Sequence, residues 1–317
     1  MCGLGLQVSA VVWAIEFSIN TGGPLGCSLA LRFGSRPVVI FGGLLSAIGI
    51  FFASFATDLY QLFLSLGGLS GLGWALIFSP SMAAVTGYFT NRRSLATGFV
   101  LTGVGTFSFA LTPLLQYLVE IYSWRGCLLL LSGLVLHSVP CGCLLRPLPG
   151  EPTDRPYSFF WGWRLLGEGV FLRYCLAITS INIGYFVPYF HLVAHMQTRE
   201  VGEWHAALVM SFMGVADVGG RLFAGCLSDL APLRTLTFLS LWTGLAGVIL
   251  GLLPLASQLL EMGVAAVAFG FCAGALTPGV FSALPGIVGD QKVLPAIGLL
   301  QMIESGGGLI GAPLSGE

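Results

Sequence analysis

Apolar runs of about 20 residues or more alternate along the chain with short polar turns. Helices of this length match the hydrocarbon thickness of a bilayer. The runs are too long, and too uniformly apolar, for a transmembrane β-barrel. The pattern therefore predicts an all-α polytopic membrane protein with about ten transmembrane helices, at roughly 3–31, 38–55, 59–88, 95–119, 125–146, 169–196, 205–227, 235–254, 262–286 and 295–314.

The positive charges predict how these helices are oriented, because cytosolic turns are enriched in Lys and Arg. Most of the 13 basic residues fall in turns on one side, which we assign as cytosolic: Arg32, Arg36, Arg92, Arg93, Arg146, Arg155, Arg164, Arg173, Arg234 and Lys292. Arg125 and Arg199 fall on the other side. The amino terminus is therefore expected to start outside.

The longest polar stretch, rich in Pro and charge, divides the chain into two halves. We predict an N-terminal half of five spans over 1–146, a cytosolic linker over 147–168 and a C-terminal half of five spans over 169–317. The turns "GCSLALRFGSR" (26–36) and "GCLSDLAPLR" (225–234) look like copies of one repeated element. The first copy follows span one of its half, and the second follows span two. This mismatch predicts a fragment of a twelve-helix protein that lacks the first and last helices.

Composition limits the possible classes of function. The chain is 56% hydrophobic and 9% charged, and its 45 glycines suit a closely packed helix bundle in a membrane. A net charge of −1 gives no basis for binding nucleic acid. The 8 cysteines show no disulfide framework. No nucleotide-binding loop and no nucleophile constellation supports a pump, a cofactor or an enzyme.

Asp217 and Arg221 are the most informative residues, because they lie inside the apolar stretch "GVADVGGRLFAGCLSD" (214–229). Their i, i+4 spacing places them on one helix face. Ionisable residues within a span usually mark a substrate or proton pathway. Arg221 could bind a carboxylate through two parallel hydrogen bonds, while Asp217 neutralises it in the empty state and accepts a coupled proton. The alternative is a structural pair that holds the bundle together without a ligand.

Other polar residues inside the predicted spans extend this picture. Glu304, in "QMIESGGG", is a second acid deep in a span, either a buried structural carboxyl, which the sequence slightly favours, or part of a proton route. Asn182, Tyr185 and Tyr189 add polar groups to a span that we expect to line a cavity. Several acids and histidines cluster near the outer face, but without a metal-binding motif, so we expect no metal there: His191, His195, Glu200, Glu203 and His205.

Four motifs carry a resemblance to a known family: "GYFTNRRSLATGFVLTGVG" (87–105), "GYFVPYFHLVAH" (184–195), "ADVGGRLFAGCLSD" (216–229) and "GLLQMIESGGGLIGAPLSG" (298–316). Together they resemble the monocarboxylate transporters, solute carrier family 16 of the major facilitator superfamily. The similarity is nearest to the branch that contains monocarboxylate transporters eleven and thirteen. Two features depart from the family pattern. Leu31 stands where an acid often precedes Arg32, and the family's opening helix has no counterpart.

The resemblance implies proton-linked transport of small monocarboxylates, such as lactate or pyruvate, by alternating access between two halves. With the polar residues above, we expect substrate binding by Arg221, Asn182 and Tyr185 and proton coupling by Asp217 and Glu304. The resemblance adds Phe281 to the substrate site and implies a cytosolic gate formed by Arg92, Arg93 and Asp229. It also implies a place in the plasma membrane or the Golgi membrane, and it leaves open an ancillary single-span glycoprotein as a partner. The alternatives are a truncated or pseudo-transporter without activity, and an uncoupled carrier of another small organic substrate.

Overall fold

The computed structural model of the protein describes residues 18, 21–89, 92–146, 163–185, 187–199, 202–230, 235–256 and 258–315. All regular structure within these ranges is helical, which confirms the all-α fold. The helices are α1 (Gly23–Phe33), α2 (Ser35–Ser54), α3 (Leu59–Tyr88), α4 (Arg93–Leu136), α5 (Ser138–Leu144), α6 (Gly169–Tyr185), α7 (Val187–Thr198), α8 (Glu203–Leu230), α9 (Thr235–Leu252), α10 (Leu259–Val288) and α11 (Val293–Ser315).

Seven helical segments of the described residues are long and apolar enough to cross a membrane: Ser35–Ser54, Leu59–Tyr88, Tyr117–Leu144, Gly169–Tyr189, Trp204–Asp229, Thr235–Leu255 and Leu259–Val288. Helix α11 and the first part of α4 cover the predicted spans 295–314 and 95–119. Most of the predicted span 3–31, and most of the linker over 147–168, lie outside the described residues.

Several helix boundaries depend on local backbone geometry. The predicted break before the span over 125–146 is a kink inside α4 at Ser123, with φ 57° and ψ 173°. Helix α1 ends before Gly34, whose φ of 87° lies in the region that favours glycine. Helix α3 contains a π-helical segment, Phe63–Ser70, which hydropathy alone does not reveal. Helices α6 and α7 together cover the span predicted over 169–196.

The chain forms two compact units, which draw on both of the halves predicted from the sequence. Unit 1 comprises Met1–Tyr88, Pro113–Cys175 and Val288–Ser305, and unit 2 comprises Phe89–Thr112, Leu176–Ile287 and Gly306–Glu317. The units and the halves are therefore different divisions of the chain. The division into halves at 147–168 stays a prediction.

Glycines allow the helices of unit 1 to pack closely. A Cβ atom on Gly73 of α3 would lie 2.7 Å from the Gly42 carbonyl oxygen of α2, and one on Gly26 of α1 would lie 2.9 Å from the Ala75 carbonyl oxygen of α3. Helix backbones in contact at such points leave no room for a side chain, as expected for helices that associate within a membrane. The glycine-rich composition thus serves the packing of α1, α2 and α3.

Candidate functional site

Helix α8 packs in unit 2 against α10 and against the first part of α4 through glycine contacts. A Cβ atom on Gly274 of α10 would collide with the Asp217 carbonyl oxygen, and one on Gly98 of α4 would lie 2.7 Å from the Arg221 carbonyl oxygen. Both neighbouring helices therefore approach the α8 backbone at the level of the two charged residues. This packing encloses their side chains.

Asp217 and Arg221 form a buried ion pair on α8. Their exposed fractions are 6% and 8%. Asp217 Oδ2 lies 2.8 Å from Arg221 Nη2, as the i, i+4 spacing predicts. Arg221 Nη1 also donates a hydrogen bond to the Leu101 carbonyl oxygen of α4. Two charges removed from water in this way carry a large desolvation cost, which makes the pair a candidate for a specific role.

Aromatic and hydroxyl side chains lie beside the ion pair. The rings of Tyr185 and Tyr189 stack with centroids 5.7 Å apart, and Tyr189 meets the edge of Phe269 at 6.5 Å. The Tyr185 hydroxyl is within hydrogen-bonding reach of Thr277 on α10. Both tyrosines interact electrostatically with the Asp217 carboxylate. Tyr185 thus shares an electrostatic environment with the ion pair, and its role in substrate binding stays a prediction.

Asn182 and Phe281 are also buried in unit 2, with exposed fractions of 8% and 6%. The Asn182 side-chain amide donates a hydrogen bond to the Ile178 carbonyl oxygen of its own helix at 3.2 Å. Phe281 lies in α10, one residue before the buried Ser282. Their roles in substrate binding stay predictions.

Glu304 belongs to unit 1, whereas Asp217 belongs to unit 2. Glu304 is half-buried in α11 and interacts electrostatically with Tyr174 and Cys175 of α6. Its surroundings therefore differ from those of Asp217. A shared role of the two acids in proton coupling stays a prediction.

The histidines predicted near the outer face lie on two helices, His191 and His195 on α7 and His205 on α8. In the part of the chain that the structure describes, no group of three or more His, Cys, Asp or Glu side chains is placed to hold a metal ion. Glu200 lies outside the described residues, and the expectation of no metal there stays a prediction.

Asp229, at the other end of α8, caps the first turn of α4. Its carboxylate oxygens accept hydrogen bonds from the backbone N–H groups of Ser94 at 3.3 Å and Leu95 at 2.9 Å. A carboxylate at a helix N-terminus satisfies unpaired donors and the positive end of the helix dipole. Arg92 immediately precedes α4, and Arg93 is its first residue. The three predicted gate residues therefore lie at the beginning of α4. Of the three, Asp229 is the one that bonds the α4 backbone.

Ser94 extends this contact through its hydroxyl. Ser94 Oγ lies 3.2 Å from Ser228 Oγ and 3.0 Å from Ser282 Oγ. These hydroxyls join the beginning of α4 to the end of α8 and to α10. Sequence analysis missed this cluster, because isolated serines within apolar stretches carry no distinctive pattern.

Replacement of Asp229 by alanine is expected to destabilise the folded protein by about 1–2 kcal/mol, the usual cost of losing a helix cap. Asp58 offers a matched control, because it precedes the first turn of α3 but makes no side-chain capping bond and is exposed. Asp58→Ala should change stability by less than about 0.5 kcal/mol. Thermal unfolding of both variants in detergent measures the difference. Equal unfolding temperatures for the two would contradict the capping role.

The family comparison agrees with this architecture. The model of the Major Facilitator Superfamily matches residues 3–312 of the chain. The protein is therefore a member of this superfamily of membrane transporters. Within it, the chain belongs to the monocarboxylate transporter family, because its relatives there are similar along nearly its whole length.

Two relatives show the degree of similarity. Monocarboxylate transporter 13 of Rattus norvegicus is 49% identical over 315 residues, which cover 98% of this chain and 73% of the relative. Monocarboxylate transporter 11 of Homo sapiens is 43% identical over 320 residues, which cover 98% of this chain and 67% of the relative. The branch indicated by the sequence motifs is thereby confirmed.

Solved structures support the fold. The fucose:proton symporter of E. coli superposes with a TM-score of 0.75 at 14% identity, covering 98% of this chain and 83% of the symporter. The human organic anion transporter MFSD10 superposes with a TM-score of 0.76 at 14% identity, covering 97% of this chain and 76% of that transporter. At this level of identity the likeness concerns the fold alone.

Proposed function

We propose that the protein carries small monocarboxylates, such as lactate or pyruvate, together with a proton, by alternating access of its two predicted halves. Membership of the monocarboxylate transporter family supports the substrate class. The observation that carries the proposal is the buried ion pair of Asp217 and Arg221 in α8. The Arg221 guanidinium would bind the substrate carboxylate, and the neighbouring Asp217 carboxylate would accept the proton.

Charge balance in the buried site explains why a proton should accompany the substrate. In the empty site, Asp217 and Arg221 neutralise each other. A monocarboxylate that binds to Arg221 adds a negative charge, which is costly in a site of low polarity. A proton on the Asp217 carboxylate restores neutrality, and it leaves when the substrate leaves. One proton then moves with each monocarboxylate anion.

The other predicted residues complete this proposal. Tyr185, Asn182 and Phe281 would shape the space beside Arg221, and Glu304 would assist proton movement in unit 1. Arg92, Arg93 and Asp229 would hold the cytosolic end closed in one state. The surrounding lipid bilayer is an obligatory partner, while a plasma or Golgi membrane location and a single-span ancillary glycoprotein belong to the same proposal.

Uptake by proteoliposomes that contain the purified protein tests this function. With the outside more acidic than the lumen, labelled lactate should accumulate faster than without a gradient, because protons then flow inward with the substrate. A protonophore should abolish the acceleration. Liposomes without protein provide the background.

The outcomes distinguish the alternatives. Saturable lactate uptake at the same rate with and without the pH gradient would indicate an uncoupled carrier and contradict proton coupling. Uptake of neither lactate nor pyruvate above background would favour a protein without transport activity.

A further inference from the structure

Two exposed thiols lie at the end of α5. Cys141 and Cys143 are the outer members of the sequence Cys-Gly-Cys, and both have exposed side chains. Gly142 between them is buried, and a Cβ atom on it would lie 3.0 Å from Ile40 Cγ1 of α2. Neighbouring residues of an α-helix project about 100° apart. Because Gly142 is held against α2, the two thiols emerge on either side of this helix contact.

The end of α5 lies at one surface of the expected bilayer. The apolar helical segment Tyr117–Leu144 ends one residue after Cys143. The Tyr88 hydroxyl, at the end of the segment Leu59–Tyr88, donates a hydrogen bond to the Arg146 carbonyl oxygen at 2.7 Å. Two spans therefore end at the same level, where the exposed Arg146 marks the headgroup region. Both thiols lie within about one helical turn of this level.

The surface around the two thiols is apolar and open. Leu144, the last residue of α5, is 81% exposed, and Leu136, just before α5, is 46% exposed. On a membrane span, an exposed apolar surface of this kind faces lipid. The positive charges predict that this end of α5 is cytosolic, where thiols are kept reduced. Other described cysteines are buried in the protein instead: Cys27, Cys127, Cys175 and Cys272.

We infer that Cys141 and Cys143 are S-acylated by long-chain fatty acids. Cysteines beside the membrane are typical positions for such thioesters. The thiol sulfur attacks the carbonyl carbon of a fatty acyl-coenzyme A, and the bond from that carbon to the coenzyme A sulfur breaks. The thiol proton ends on the released coenzyme A, so no oxidant or reductant is needed. The acyl chains then extend into the bilayer along the exposed sides of α5.

Other uses of the Cys-Gly-Cys sequence do not fit this geometry. A disulfide needs Cβ atoms about 3.5–4.5 Å apart, whereas these side chains leave the helix on opposite flanks of Gly142. A metal ion would need further ligands. Across the ranges that the structure describes, no group of three or more His, Cys, Asp or Glu side chains is placed to supply them.

Cys226 of α8 offers a comparison, because it is exposed near the end of another span. It lies three residues before an acid, Asp229, whereas Cys143 lies three residues before Arg146. The phosphate groups of an acyl-coenzyme A are attracted by a nearby arginine and repelled by a carboxylate. We therefore expect acylation on α5 and not at Cys226.

Mass tagging of the protein, expressed in cultured eukaryotic cells, tests this inference. Free thiols are first blocked, hydroxylamine then cleaves thioesters, and each released thiol takes up one maleimide–polyethylene glycol tag. We expect two tags on the unsubstituted protein, one on Cys141→Ser or Cys143→Ser, and none on the double variant. Growth of the cells with an alkynyl analogue of palmitate should label the unsubstituted protein and leave the double variant unlabelled.

Cys127→Ser and Cys226→Ser are the matched controls, and both should keep two tags. Cys127 is buried in the same span as the two thiols, and Cys226 is exposed beside an acid. Tags that persist on the double variant, or that disappear with Cys226→Ser, would overturn the inference.

The unsubstituted protein alone gives a second, independent result. Mass spectrometry of the peptide that contains Cys141 and Cys143 should find the acyl groups on both sulfurs, so the test holds even if a variant does not fold. The absence of hydroxylamine-dependent tags would overturn the inference and leave the two thiols as plain lipid-facing side chains. Neither result depends on lactate uptake, so the inference and the proposed function are tested separately.

Discussion

Gly220→Ala is expected to destabilise the protein strongly, by about 3 kcal/mol or more. A Cβ atom at Gly220 would collide with the Phe271 carbonyl oxygen and lie 2.9 Å from the Phe271 carbonyl carbon. Because the obstacle is helix backbone, it cannot rotate away as a side chain can, and α8 must separate from α10. The displacement would also move Arg221, so we expect transport to be lost together with stability.

Gly219 provides the control, since it is the preceding residue of the same helix. It is exposed, and no atom lies within 4 Å of the position that its Cβ would take. Gly219→Ala should leave stability unchanged or raise it by up to about 1 kcal/mol, because alanine favours the helix. Unfolding temperatures of both variants in detergent measure the contrast. Equal losses of stability in Gly220→Ala and Gly219→Ala would show that close contact between α8 and α10 does not stabilise the fold.

The apolar pattern was sufficient to predict most of the helices. The span predicted over 59–88 agrees with α3, and the span over 235–254 agrees with α9 to within a few residues. Apolar length and the charged or Gly/Pro-containing turns between runs fix such boundaries, because the bilayer imposes the length. The i, i+4 contact of Asp217 and Arg221 was predictable in the same way, because it depends only on helix geometry.

The contacts between distant segments were not predictable from this pattern. The Leu101 carbonyl oxygen bonds Arg221 across 120 residues of sequence, and a backbone carbonyl leaves no trace in the identity of its side chain. Asp229 was predicted as a gate residue from family resemblance, but its capping of Ser94 and Leu95 follows only from the packing of α8 on α4. Tertiary proximity, rather than local periodicity, determines these bonds.

Like Gly220→Ala, mutation of the Asp217–Arg221 ion pair is expected to have a large effect. Its two possible roles, scaffold and substrate site, predict different energetic consequences of mutation. Removing one partner of a buried ion pair leaves an uncompensated charge, which typically costs about 3–5 kcal/mol. Replacing both partners by neutral residues of similar shape avoids that cost. Asp217→Asn and Arg221→Gln preserve the side-chain shapes approximately, so the double variant separates a folding role from a transport role.

We expect Asp217→Asn and Arg221→Gln each to lower stability as single variants. The Arg221→Gln variant also loses the planar fork that grips a carboxylate, so its lactate uptake should fall about 100-fold or more. Arg36→Lys is a suitable reference, because Arg36 is exposed at the beginning of α2 and should tolerate the change.

Lactate uptake by the double variant Asp217→Asn, Arg221→Gln, measured beside its unfolding temperature, tests the substrate-site role most directly. We predict that the double variant folds with nearly normal stability, because no charge is left unpaired, and that its uptake stays at the background of empty liposomes. A double variant that is both folded and active in lactate uptake would contradict this account, and the ion pair would then serve only to hold α8 in place.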